Sequence, residues 1–172
     1  MDKELEYQDE LSLFMDVVEK VYAPKDQQLW RWCHYPIGED DFVVQAENPL
    51  NVPNISIDDA TEEEKVDYIE RYALSAFNSF DNAVSAYLEI REHRVARRGE
   101  QEGTKFDNQK GGHVQPLHVK PEHGVSDNPS GAHGHVNILM YKDVDPHDMV
   151  DGNPVPIVKQ DNQDNNIDGN AL

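Results

Sequence analysis

Apolar residues recur at alternating spacings of three and four from Val66 to Ile90, and this pattern constrains the fold more than any other feature of the chain. Such spacing places one continuous apolar stripe along a helix. Thr61 and the glutamates that follow it supply a cap and an acidic first turn, and no glycine or proline follows before Gly99. The pattern therefore predicts one long amphipathic helix over residues 58–98.

A helix of this length needs a surface to lie against along its apolar stripe. Leu11, Phe14 and Val18 also follow helical spacing, so we expect an N-terminal helix that covers part of the stripe. The rest of the stripe is predicted to contact another subunit or a different protein. The predicted partner interface consists of Val66, Ile69, Phe77, Phe80, Val84, Tyr87, Arg91, Arg94 and Arg98.

Beyond Gly99, glycine and proline are so frequent that no further helix is expected. Short extended pieces are predicted at residues 113–120, 135–141 and 155–159, and residues 160–172 form an Asp- and Asn-rich tail. The sequence thus predicts a mainly α fold with a helical domain over residues 1–99. Residues 100–172 are expected to form an extended arm, rich in Gly, Pro and His, that gains order on neighbouring subunits.

The net charge of −19 limits the partners of the chain. Binding to an anionic membrane is electrostatically unfavourable, and direct binding to naked nucleic acid is unfavourable except through the basic stretch from Arg91 to Arg98. That stretch also suits the C-terminal end of a helix, whose dipole favours positive charge. An acidic N-terminus, a single cysteine and the lack of a long apolar run favour an intracellular, cytoplasmic or virion location over secretion.

The candidate metal ligands are histidines and a group of aspartates, Asp143, Asp145, Asp148 and Asp151, that could hold a divalent ion on a turn. His133 and His135 form an H-x-H pair on a glycine-rich loop and could bind zinc or iron together with other histidines of the arm. Residues 164–169 match the opening of a calcium loop, but the chain ends before the twelfth position that such a loop requires. No cofactor is therefore predicted, apart from a divalent metal at this pair.

Catalytic motifs are absent from the sequence. There is no phosphate-binding loop, no dinucleotide fingerprint and no G-x-S-x-G. Cys33 and His34 are sequence neighbours whose side chains would point to opposite faces of an extended segment. No catalytic or cofactor-binding residue is predicted, and we expect a protein that is not an enzyme.

Three functions agree with these features. The first is an acidic structural or assembly protein, of the kind found among phage virion, neck and capsid accessory components, which forms a homo-oligomer or larger assembly. The second is an acidic inhibitor or nucleic-acid mimic that binds a basic protein. The third is a metal-binding protein or metal-dependent hydrolase that uses the histidine-rich arm.

Overall fold

The computed structural model describes residues 3–56 and 59–158 of the chain. At its centre is a six-stranded sheet in which all neighbours are antiparallel, in the order β4-β5-β2-β1-β3-β6. The strands are β1 Gln27–Cys33, β2 Leu74–Phe77, β3 His113–Val119, β4 Gly124–Ser126, β5 His135–Met140 and β6 Val155–Pro156.

Helices lie around this sheet: α1 Gln8–Leu11, α2 Met15–Val21, α3 Glu62–Glu70, α4 Phe80–Arg98 and α5 Glu100–Lys110. Single 3₁₀ turns occur at Ser12–Phe14, Glu39–Phe42, Gln45–Glu47, Pro49–Asn51 and Pro146–Met149. The composition is 44% helix and 22% strand, so the prediction of a mainly α fold was wrong. None of the described helices combines the length and the apolar character that a bilayer-spanning helix needs.

The predicted long helix is divided into α3, strand β2 and α4. Helix α3 begins at Glu62 rather than at the predicted residue 58. Its cap is Thr61, whose hydroxyl accepts the Glu64 N–H, while the Glu64 carboxylate accepts the Thr61 N–H. The helix ends at Glu70 because the next residues form a strand that is buried on both faces. Leu74 and Ala76 pack on one face of the sheet and Phe77 on the other. A strand that is buried on both faces can have apolar residues at any position. The apolar residues of β2 therefore matched the helical spacing by chance, and the predicted helix continued through the strand.

The predicted extended arm is instead an integral part of the sheet. Strand β3 pairs with β1 over seven residues, from Gln27↔Val119 to Cys33↔His113, and β5 pairs with β2 over four. The three extended pieces predicted from the sequence correspond to β3, β5 and β6, and what was wrong was the inference that they lie outside a core. The boundary predicted at residue 99 falls at the bend between α4 and α5, and strands from both sides of it are neighbours in the sheet.

Each face of the sheet is covered by a separate apolar core. Helices α4 and α5 cover one face, where Tyr87, Phe106 and Val114 are fully buried and Trp32 Nε1 donates to the Ala83 carbonyl at 2.7 Å. The 3₁₀ turns at Glu39–Phe42 and Pro146–Met149 contribute to the core on the other face. A third cluster joins α1, α2 and α3 to the β4–β5 end of the sheet.

Gly111 is the residue that allows α5 to lead directly into β3. It has a φ of +72°, and a Cβ atom there would lie 1.9 Å from the Cys33 carbonyl oxygen. We therefore expect Gly111→Ala to reduce the free energy of unfolding by at least about 2 kcal/mol, since it combines backbone strain with a main-chain clash. Gly112→Ala is the matched control, because a Cβ atom at Gly112 meets nothing within 4 Å. Urea denaturation of both variants tests this, and equal destabilisation would contradict it.

Candidate anion-binding site

A small cavity lies where strands β1 and β2 share little pairing. The register between these strands contains only the pair Trp30↔Phe77, whereas β1 pairs with β3 along its whole length. Side chains enclose a cavity of about 110 Å³ next to this gap. The lining residues are Arg31, Trp32, Val43, Gln45, Ala73, Ser75, Phe77 and Lys110.

Arg31 carries a positive charge into this cavity. Its side chain is partly buried; Nε donates to the Asp41 carbonyl at 2.6 Å, and Nη1 donates to the Ser75 carbonyl. Burial lowers the pKa of Arg31 to about 10, so the guanidinium remains charged near neutral pH. A guanidinium has five N–H groups, and within residues 3–56 and 59–158 only the two main-chain carbonyls accept from Arg31. The remaining N–H groups are available to a ligand.

The nearest carboxylate, that of Asp41, is engaged by other donors. It accepts hydrogen bonds from the main-chain N–H of His34 at 2.8 Å and of Gly38 at 3.0 Å, and it contacts His34 Nδ1 at 2.7 Å. Although burial raises the pKa of Asp41, these hydrogen bonds lower it below its ordinary value. The carboxylate therefore stays ionised and holds the loop that presents the Asp41 carbonyl to Arg31, without forming a salt bridge to the guanidinium.

Lys110, the last residue of α5, adds a second positive charge. The residue as a whole is exposed to solvent, and it is also one of the residues that line the cavity. Desolvation lowers the pKa of Lys110, and the positive charges of Arg31 and Arg94 lower it further. In the part of the chain that the structure describes, Lys110 forms no salt bridge. Two neighbouring cations that repel each other favour an anion between them.

The polar wall of the cavity also presents donors. Arg71 donates to the Gln45 Oε1 atom at 2.6 Å and to Asp67 at 2.6 Å, so the acceptor atom of the Gln45 amide already has a hydrogen-bond partner. The Gln45 Nε2 group has no acceptor among the described residues. Trp32 and Phe77, whose ring centroids lie 4.9 Å apart, supply apolar surface. A cavity lined by cations and N–H donors is suited to a carboxylate or phosphate group.

Ser75, which lines the cavity, forms a hydrogen bond between its Oγ atom and His135 Nε2. Burial lowers the pKa of His135, the carboxylate of Asp127 opposes this, and the positive charge of Arg31 adds to the lowering. The imidazole is therefore neutral at pH 7.

The two predicted metal ligands have separate partners. His133 Nε2 contacts a Glu89 carboxylate oxygen at 2.8 Å, while His135 contacts Ser75. Across the described residues, no group of three or more His, Cys, Asp or Glu side chains is arranged to hold a metal ion. The calcium-loop match at residues 164–169 lies outside the described residues.

Most of the predicted partner interface packs within the chain itself. Ile69, Phe77 and Tyr87 are buried in the cores, and Val66, Phe80 and Val84 are partly buried against them. Contact of these six side chains with another protein therefore has no support from their placement.

The predicted interface arginines have three different environments. Arg91 forms salt bridges to Asp107 and Glu100. The guanidinium of Arg94 lies over the Phe106 ring, 4.9 Å from its centroid. Arg94, Arg97 and Arg98 line an open groove of about 550 Å³ between α4 and α5. A partner contact through this groove stays a prediction.

Sequence reasoning missed Arg31, Gln45, Ser75 and Lys110. One signal was available for Arg31, since a charged residue between Trp30 and Trp32 suggests a strand position with an unusual environment. No protein-family model, curated protein or solved structure matches this chain. The function is therefore inferred from the geometry of the site.

The contact between His34 and Asp41 makes the loop beside the site sensitive to pH. Hydrogen bonding to the Asn108 carbonyl and to Asp41 raises the pKa of His34. A raised pKa in the folded state stabilises the protein below the ordinary histidine pKa, and this contribution is lost as the pH rises through the folded-state value. We expect the wild-type protein to exceed His34→Gln in Tm by more at about pH 5.5 than at about pH 8.5.

Thermal unfolding of both proteins across this range is the measurement. His93→Gln, which removes an exposed histidine from α4, controls for the loss of a titratable group. A Tm difference for His34→Gln that is constant with pH would contradict the assigned role of the contact.

Proposed function

We propose that this protein binds a small molecule through a carboxylate or phosphate group, with Arg31 and Lys110 as the principal contacts. The observation that carries this proposal is the partly buried guanidinium of Arg31, whose acceptors among the described residues are two main-chain carbonyls. A desolvated charge without a paired counter-ion is unfavourable. An anionic ligand would offset this cost and use the N–H groups that remain.

The charge of the whole protein makes the local site the source of selectivity. A net charge of −19 repels anions over most of the surface, so retention of an anion needs a specific positive cavity. A cavity of about 110 Å³ has room for a few water-sized groups. It therefore suits the charged group of a ligand whose remainder extends into solvent along the exposed side chain of Val43.

The functions expected from the sequence have weaker support. An assembly role, a nucleic-acid mimic and an inhibitor of a basic protein stay predictions. The assembly hypothesis rested on a long helix and an extended arm, and both of those structural predictions were wrong. The metal-dependent hydrolase lacks a ligand cluster within the described residues.

Lys110→Gln tests the proposal without removing the bonds that Arg31 makes to the main chain. We expect the affinity for inorganic phosphate to fall about tenfold, since loss of one charge-assisted contact costs roughly 1.5 kcal/mol. Lys105→Gln is the matched control, because Lys105 lies on the same helix and pairs with Glu102 at 2.6 Å. It should change the affinity by less than about twofold.

Isothermal titration at low ionic strength measures both variants, first with phosphate and then with acetate to separate the two ligand chemistries. Binding should weaken as salt is added. Equal affinities of Lys110→Gln, Lys105→Gln and the wild type for both anions would overturn the proposal, and so would the absence of binding to the wild type.

A further inference from the structure

Ser75 lines the cavity, and its hydroxyl forms a hydrogen bond with His135 Nε2 that anion binding alone does not require. We propose that Ser75 is a nucleophile for the carbonyl carbon of an anionic ester and that His135 accepts its proton. This inference rests on the proposed function, because Lys110 and Arg31 hold the charged group of the substrate. It adds a reaction to what is otherwise a binding site.

The sheet places the two side chains together. In the register of β2 and β5, Phe77 pairs with His135 and Ser75 pairs with Asn137. Ser75 and Phe77 lie on the same face of β2, so Ser75 and His135 are diagonal neighbours across the two strands. Their contact is thus set by main-chain pairing.

The backbone around His135 fixes the position of the imidazole. The N–H of His135 donates to the Ser130 carbonyl at 2.8 Å, and the Ser130 N–H donates back to the His135 carbonyl at 2.8 Å. The preceding Gly134 has a φ of +57°, and its carbonyl accepts the Asn78 N–H at 3.0 Å. A general base held in this way loses little entropy when it acts on its neighbour.

The charge state of the site suits proton transfer from Ser75 to His135. The imidazole is neutral, because burial and the charge of Arg31 lower its pKa, and Nε2 can therefore accept the hydroxyl proton. The guanidinium of Arg31 donates to the Ser75 main-chain carbonyl, so a positive charge lies near the nucleophile. A positive charge there would favour the negative charge that develops on the carbonyl oxygen of an ester.

The reaction balances without a further reagent. Ser75 Oγ forms a bond to the acyl carbon, the bond from that carbon to the alkoxy oxygen breaks, and the hydroxyl proton passes through His135 Nε2 to the departing alkoxide. Water then attacks the acyl-serine and gives one proton to His135, which returns it to Ser75 Oγ. The products are an acid and an alcohol.

A fluorophosphonate probe tests the nucleophile directly, since attack by Ser75 forms an O–P bond and expels fluoride. We expect mass spectrometry of the full chain to locate the adduct at Ser75, and none at Ser85, which is exposed on α4 without a hydrogen-bond partner among the described residues. Ser75→Ala should abolish labelling. His135→Asn should slow it about 100-fold. Thermal unfolding confirms that each variant is folded; if His135→Asn does not fold, His135→Gln is labelled in its place, with the same slowing expected.

Phosphate titration of the same samples separates this inference from the proposed function. Absence of an adduct in a protein that binds phosphate would overturn the nucleophile and leave the anion site intact. Absence of both would overturn both. Labelling of Ser75 at the same rate in His135→Asn, or no faster than labelling of Ser85, would show that His135 does not activate the hydroxyl and would also contradict the inference.

Discussion

The guanidinium of Arg31 connects three parts of the fold: strand β1, the turn that follows it and strand β2. Arg31 lies in strand β1, and its guanidinium donates to the Ser75 carbonyl in β2 and to the Asp41 carbonyl in the turn after β1. These bonds fill the place where β1 and β2 lack a longer ladder. Because they use two of five N–H groups, the side chain that joins the strands also brings charge to the cavity. Stability and the proposed ligand binding thus involve the same residue.

Local signals in the sequence were sufficient where a short segment determines its own structure. Capping residues and an acidic first turn were predicted near Thr61 from their residue types, and Thr61 caps α3 ahead of three glutamates. Strand β2 was not predictable in this way, because Leu74 and Ala76 are apolar for a reason that involves β1 and β5 rather than their neighbours in sequence. The glycines and prolines beyond Gly99 mark turns between strands, and nothing local distinguishes such turns from an extended arm.

The site was harder to predict than the helices because its members meet through the sheet. Arg31, Ser75, Lys110 and His135 come from β1, β2, α5 and β5. His135 was predicted to be a metal ligand, because H-x-H is a local pattern. Its contact with Ser75 joins two strands and has no local signal. The net charge of −19 also predicted cationic partners. Average charge carries no information about a cavity in which two cations converge.

Nuclear magnetic resonance of arginine side chains tests the central claim most directly, because the Nε–H that donates to the Asp41 carbonyl belongs to the guanidinium of a residue that lines the cavity. During titration with inorganic phosphate, we predict a saturable shift of the Arg31 signal together with the main-chain amide of Ser75. The signals of Arg97 and Arg98, which line the open groove on α4, should change little. A titration in which the groove arginines shift and Arg31 does not would contradict an anion site at the gap between β1 and β2.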